Sequence, residues 1–187
     1  MLKRQQVLAH WTPRQIQQIR DLVSFQARVD TIKALMPLPH VESVARQFYL
    51  SSADSVPPRG AKAPVSTLIL KTYAPRTSKL ALNFMYNQFD DLQKAGFTFA
   101  DSVLYVYKSY MQDHHHLAAN SPTPFVKFEH FYSIASHLVT KNAVLQRCST
   151  CGSRNFFLRN PSRYVSSCIS CESIAAVSRA APVVRTA

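Results

Sequence analysis

Four cysteines are placed to do chemistry together: Cys148 and Cys151, then Cys168 and Cys171. They are all the cysteines of the chain. Sixteen residues separate the two C-x-x-C pairs, a form that reads as a zinc site. A C-x-x-C turn aims two thiolates at one point. Two such turns brought together by a short hairpin close a tetrahedral shell of four sulfurs, which suits a structural zinc. A closed shell has no open position for water or substrate, so the metal is expected to hold a fold together and not to catalyse.

Four cysteines have competing uses. Two disulfides, in any of three connectivities, fit small secreted proteins. The opening MLKRQQVLAHW carries charges but no apolar core of the length a secretory leader needs. A redox centre usually uses one C-x-x-C near a βαβ pattern, and none is legible here. Iron is the remaining alternative.

Composition narrows the classes. The chain has 187 residues, 47% of them hydrophobic, which suits one domain of ordinary size plus a small appendage. No run of about 18 apolar residues is present, so no membrane span is expected, and the cytoplasm is the expected location. The three glycines (Gly60, Gly96, Gly152) form neither a P-loop nor a G-x-G-x-x-G. With no legible nucleophile–base pair either, an enzyme is not expected.

The formal net charge is +12. Residues 141–187 carry seven basic residues against the single acid Glu172, half of that net charge. A basic zinc module suggests nucleic acid, because each neutralised phosphate releases counterions. A solvated surface that is basic only for solubility is the competing reading.

The elements that must position the cysteines read as mainly helical. Thr12-Pro13 is an N-cap with proline at the first helical position. Ile16, Ile19, Leu22, Val23, Val29, Ile32 and Met36 then recur at helical spacings, predicting one helix that Pro37 and Pro39 stop. A second helix is predicted over 41–50, with Val41, Val44, Ala45 and Phe48 on one face. The pair fits a helix-turn-helix or a plain αα-corner. Residues 51–66 (SSADSVPPRGAKAPVS) are a basic, proline-broken loop. A helix follows over 77–95, carrying Leu80, Phe84, Met85, Phe89 and Leu92, with Gly96 as its C-cap. Another begins after Thr98 and carries Val103, Leu104, Val106, Tyr107 and Tyr110. Adjacent residues on a helix point about 100° apart, so His114, His115 and His116 are expected as a solvated helix end and not a metal site. Helical spacing resumes over 125–145, where His130 and His137 are expected to pack.

Between the cysteine pairs, Asn155–Arg159 reads as a strand, Asn160-Pro161-Ser162 as a turn and Arg163–Ser167 as a returning strand. The domain reading is a helical domain over 1–145, a four-cysteine, zinc-ribbon-like module over 146–175 and a tail over 176–187. Aromatic residues beside arginines suit phosphates and stacking faces. The candidate nucleic-acid contacts are Arg59, Lys62, Arg147, Arg154, Arg159 and Arg163. Either Phe156 or Phe157 is expected to pack inward, with the arginines facing out.

The chain resembles the FlhC family of flagellar transcriptional activator subunits. The likeness lies in LVSFQARVDTIKALMPLPHVESVARQFYL, in the loop PPRGAKAPVST and in the C-x2-C-x16-C-x2-C quartet, in that order. After Cys171 it departs from the family, reading ESIAAVSRAA with an acid first. The resemblance implies one Zn2+ per subunit on Cys148, Cys151, Cys168 and Cys171. It also implies the partner FlhD, in a heterohexamer of four FlhD and two FlhC that binds promoter double-stranded DNA and recruits RNA polymerase. A zinc-ribbon adaptor that binds only protein partners is the alternative.

Overall fold

The computed structural model describes residues 11–52, 56–62, 68, 76–117, 126–158, 168 and 171. They form six helices and one two-stranded antiparallel sheet. The helices are α1 (Pro13–Ser24), α2 (Val29–Leu35), α3 (Val41–Ser51), α4 (Arg76–Lys94), α5 (Phe99–Leu117) and α6 (Phe128–Val139). The strands are β1 (Ala143–Arg147) and β2 (Arg154–Leu158). The protein is therefore mainly helical, with a small C-terminal hairpin that bears the four cysteines. No helix among the described residues is long and apolar enough to cross a membrane.

Thr12 starts α1 with a capping box. Its hydroxyl accepts from the Gln15 amide at 3.2 Å, and its own amide donates to Gln15 Oε1 at 2.9 Å. The single helix expected from Thr12 to Met36 is in fact two. Gln26 takes a left-handed φ of 58°. The amides of Gln26 and Ala27 turn back to the carbonyls of Val23 and Leu22 at 3.0 and 2.9 Å. This is the hydrogen-bond pattern that glycine usually closes. With glutamine in that position, and apolar spacing unbroken on both sides, the stop left no mark in the sequence. The end of α4 is the legible counterpart. Gly96, at φ 88°, donates to Gln93 at 3.1 Å, and Phe97 donates to Leu92 at 3.0 Å.

Tyr49 ties the first three helices together. It is buried, and its hydroxyl donates to the Ala27 carbonyl in the α1–α2 turn. The face of α3 is thus Val41, Val44, Ala45 and Tyr49. The expected Phe48 is only partly buried, with the Arg20 guanidinium 5.4 Å from its ring centroid.

A row of rings crosses the core. Phe25 meets Tyr107 (4.9 Å between centroids), Tyr107 meets Phe131 (6.2 Å), Phe131 meets Tyr86 (5.4 Å), and Tyr86 meets Phe156 of β2 (4.9 Å). Such pairs add roughly 0.5–1.5 kcal/mol each beyond the area they bury. The row joins the N-terminal helices to the hairpin. On α4 the buried face is Leu82, Met85, Tyr86 and Phe89, whereas Leu80 and Phe84 are exposed. Helical spacing alone predicts both inside. The helix is buried on one stripe, and they lie off it.

The helix expected over 125–145 ends earlier, at Val139. Lys141 turns left-handed (φ 59°), and its amide donates to Leu138 at 3.1 Å. The apolar residues Ala143, Val144 and Leu145 then lie on a strand. A short apolar run of this kind fits helix and strand equally by periodicity. Among the described residues, the partner of β2 is a strand that the sequence reading did not expect. It pairs with β1 on its N-terminal side, in the register Ala143↔Leu158 to Arg147↔Arg154. The returning strand expected over 163–167, the turn at 160–162 and the tail over 176–187 lie outside the described residues. So do the side chains of His114, His115 and His116, although α5 runs through them.

Candidate metal centre

The turn joining β1 to β2 carries the first cysteine pair. Cys148 follows the last residue of β1. Its amide donates to the Ser153 carbonyl at 2.8 Å, and the Gly152 amide donates back to the Cys148 carbonyl at 2.9 Å. Gly152 sits at φ 71°, and a Cβ added there would meet nothing within 4 Å. Glycine is therefore needed for its dihedral angle and not for space. The Thr150 amide points at Cys148 Sγ (3.4 Å), and the Cys171 amide points at Cys168 Sγ (3.4 Å). Each pair thus orients a sulfur with a backbone donor from its own turn.

The two pairs converge. Cys148 Sγ lies 3.7 Å from Cys171 Sγ, and Cys151 Sγ lies 3.5 Å from Cys168 Sγ. All four sulfurs fall within 4.8 Å of one another. A tetrahedral zinc with Zn–S bonds of about 2.3 Å has sulfur–sulfur edges of about 3.8 Å, so the donor set has the size of a metal shell. Bonded sulfurs lie about 2.05 Å apart, and all four cysteines here are free. The cage can hold a metal ion, and its ligands would be the four cysteines the spacing singles out.

Donors around Cys148 and Cys168 favour thiolate. Burial pushes the Cys168 thiol up, but the Ser153 hydroxyl, the Cys171 amide and the neighbouring thiols outweigh it and bring it to about 5. The amides of Cys151 and Thr150 lower Cys148. Cys171 is pushed up to about 12 because it shares protons with Cys151, Cys148 and Cys168. Metal binding needs deprotonated sulfur, and two of the four ligands are already biased that way.

The cage is anchored to the helical body along β2. One edge of β2 pairs with β1. On the other edge Asn83 of α4 takes the place of a neighbouring strand. Its Nδ2 donates to the Arg154 carbonyl at 2.9 Å, and its Oδ1 accepts from the Phe156 amide at 3.2 Å. Asn87 adds a second donor to the Arg154 carbonyl at 3.1 Å. The Arg154 guanidinium is held by two acids of the same helix, through Nη1 to Asp90 at 3.0 Å and Nη2 to Asp91 at 2.7 Å. Phe156 packs on Tyr86, as expected of one of the two rings, while the side chain of Phe157 is outside the described residues.

The candidate nucleic-acid contacts that fall among the described residues differ in their surroundings. Arg59 and Arg147 are exposed. Arg154 does not face out as expected, because Asp90 and Asp91 occupy it. Lys62 folds back onto the body, with Nζ 3.4 Å from Thr31 Oγ1, 4.0 Å from Glu129 Oε2 and 5.5 Å from the Tyr132 ring. Its loop is tied down by Arg28, whose guanidinium donates to the carbonyls of Gly60 and Ala61. Arg159 and Arg163 lie outside the described residues. On α6, burial lowers the His130 pKa, and the charges of Lys127 and Arg28 lower it further, as suits a packed histidine.

Sequence reasoning missed Asn83, Asn87, Asp90 and Asp91. Their spacing is helical, but a polar stripe of this kind reads equally as a solvated face. Compared with family models and with curated proteins, the chain matches none.

Proposed function

We propose that the chain is a non-catalytic, zinc-stiffened adaptor that binds macromolecules over its surface, and that it serves as the DNA-binding subunit of a transcriptional activator. The observation that carries the adaptor reading is the closed four-sulfur cage at the tip of a hairpin docked on a helical body. Such a shell offers a substrate no coordination site. It fixes a hairpin too small to hold itself together. The net charge of +12 supports DNA as the macromolecule, with the exposed Arg59 and Arg147 as phosphate contacts. The resemblance to the FlhC family supplies the partner, FlhD, and the setting, a cytoplasmic complex at flagellar promoters that recruits RNA polymerase.

A second reading is an adaptor that binds protein alone. It is favoured by a specific observation: Arg154, one of the six basic candidates, is paired with Asp90 and Asp91, and the exposed Lys62 has its Nζ 4.0 Å from Glu129. An electrophoretic mobility shift with promoter DNA, with and without FlhD, separates the two. A shifted band that requires both proteins supports the activator reading. A complex with FlhD that leaves DNA unshifted supports the protein-only adaptor.

A further inference from the structure

Asn155 stands between the sulfur cage and the helical body, and neither reading of function uses it. It is only 1% exposed. Its Nδ2 donates to Cys168 Sγ at 3.2 Å, and also lies 3.1 Å from Ser153 Oγ and 3.0 Å from the Ser153 carbonyl. The Ser153 hydroxyl in turn lies 3.0 Å from Cys151 Sγ and 3.4 Å from Cys168 Sγ. The Asn155 Oδ1 is buried and has no hydrogen-bond partner among the described residues. An unpaired buried oxygen costs about 1–3 kcal/mol, and an apolar side chain of the same shape would avoid that cost. What asparagine supplies at this position is its N–H donors, aimed at sulfur.

Strand alternation gives the donor a second consequence. Neighbours on a strand point to opposite faces. Arg154 and Phe156 face α4, so Asn155 between them faces the cysteines. One three-residue stretch of β2 therefore grips the sulfurs on one side and the body on the other.

We propose that Asn155 is a positioning residue for the metal centre: its N–H···S bond holds Cys168 in ligand position and makes the docking of β2 on α4 depend on the filled cage. This rests on the zinc reading above. Donors outside the ligand set commonly set metal affinity by roughly tenfold to a hundredfold. They also draw charge from the sulfur, which blunts its attack on electrophiles.

The test uses the full chain carrying Asn155→Ala or Asn155→Leu, the second keeping the branched outline of the side chain while removing the donor. Zinc affinity is read by competition with a chromophoric chelator. Iodoacetamide alkylation of the zinc-loaded protein is read cysteine by cysteine from peptide masses. We expect both variants to bind zinc about tenfold or more weakly, and Cys168 to be alkylated selectively faster. A purely structural loss would expose all four cysteines alike. Weakened zinc with a selective rise at Cys168 supports the proposal, and any other pattern overturns it. Wild-type protein that binds no zinc would remove the metal reading itself. Wild-type protein that binds zinc while the variants match it would remove only the role of Asn155.

Discussion

Arg154 Nη2 lies 2.7 and 2.8 Å from the two carboxylate oxygens of Asp91. The same guanidinium reaches Asp90, and the Arg154 carbonyl is held by Asn83 and Asn87. Arg154 is thus a clamp between hairpin and helix, whereas its register partner Arg147 is exposed. Two arginines that look alike in the sequence should therefore behave differently. We expect Arg154→Ala to lower stability by about 1–2 kcal/mol, the figure for a charged hydrogen bond reduced for partial exposure. Arg147→Ala should leave stability within about 0.5 kcal/mol and reduce the salt dependence of DNA binding by about one phosphate contact. Urea denaturation and binding titrations over a salt series check both. Equal stability of the two variants would contradict the clamp.

Asn83→Ala should strand the Phe156 amide and remove one of the two donors to the Arg154 carbonyl. Leaving one buried backbone group unmade costs about 1–3 kcal/mol. We expect a loss in that range, with faster hydrogen exchange at β2 than at α1. Exchange that rises evenly over the whole chain would mean that Asn83 supports the body and not the hairpin edge.

Gln26→Gly should stabilise the protein. A non-glycine residue in the left-handed region costs roughly 1–2 kcal/mol, and glycine returns part of that gain as unfolded-state entropy. Gln26 is exposed, so nothing else is lost. A net gain of about 0.5–1 kcal/mol in urea denaturation is expected, and a net loss would contradict the turn geometry.

Burial raises the Tyr49 pKa, and the charge of Glu129 raises it further. A group whose folded-state pKa is raised contributes stability that is complete below its unfolded value, about 10. That contribution is lost as pH climbs through the folded value. Alkaline unfolding should therefore begin above about pH 10 and coincide with tyrosinate absorbance. Tyr49→Phe should unfold at higher pH than the wild type while losing about 1 kcal/mol at neutral pH from the unmade bond to Ala27. An unchanged alkaline midpoint would exclude Tyr49 as its source.

Some of this was legible from residues alone. Thr12, Pro13 and Gly96 mark their helix ends because each has a local reason to be there. The cysteine spacing marks the cage because ligand geometry constrains it. Gln26 hid a helix end because a glutamine in the left-handed position carries none of the local signal that glycine gives. β1 was hidden because Ala143–Leu145 fits either period and because its partner lies across the first cysteine pair. Asn83 and Asn155 were invisible for a related reason. Their roles depend on which strand edge meets which helix, and spacing along one element does not encode that.

The most direct test of the central claim is native mass spectrometry of the protein purified without added metal or chelator. The account predicts one zinc ion per chain, displaced by acid, with all four cysteines recovered as thiols. A folded chain of metal-free mass, or one lighter by the hydrogens of two disulfides, would contradict it.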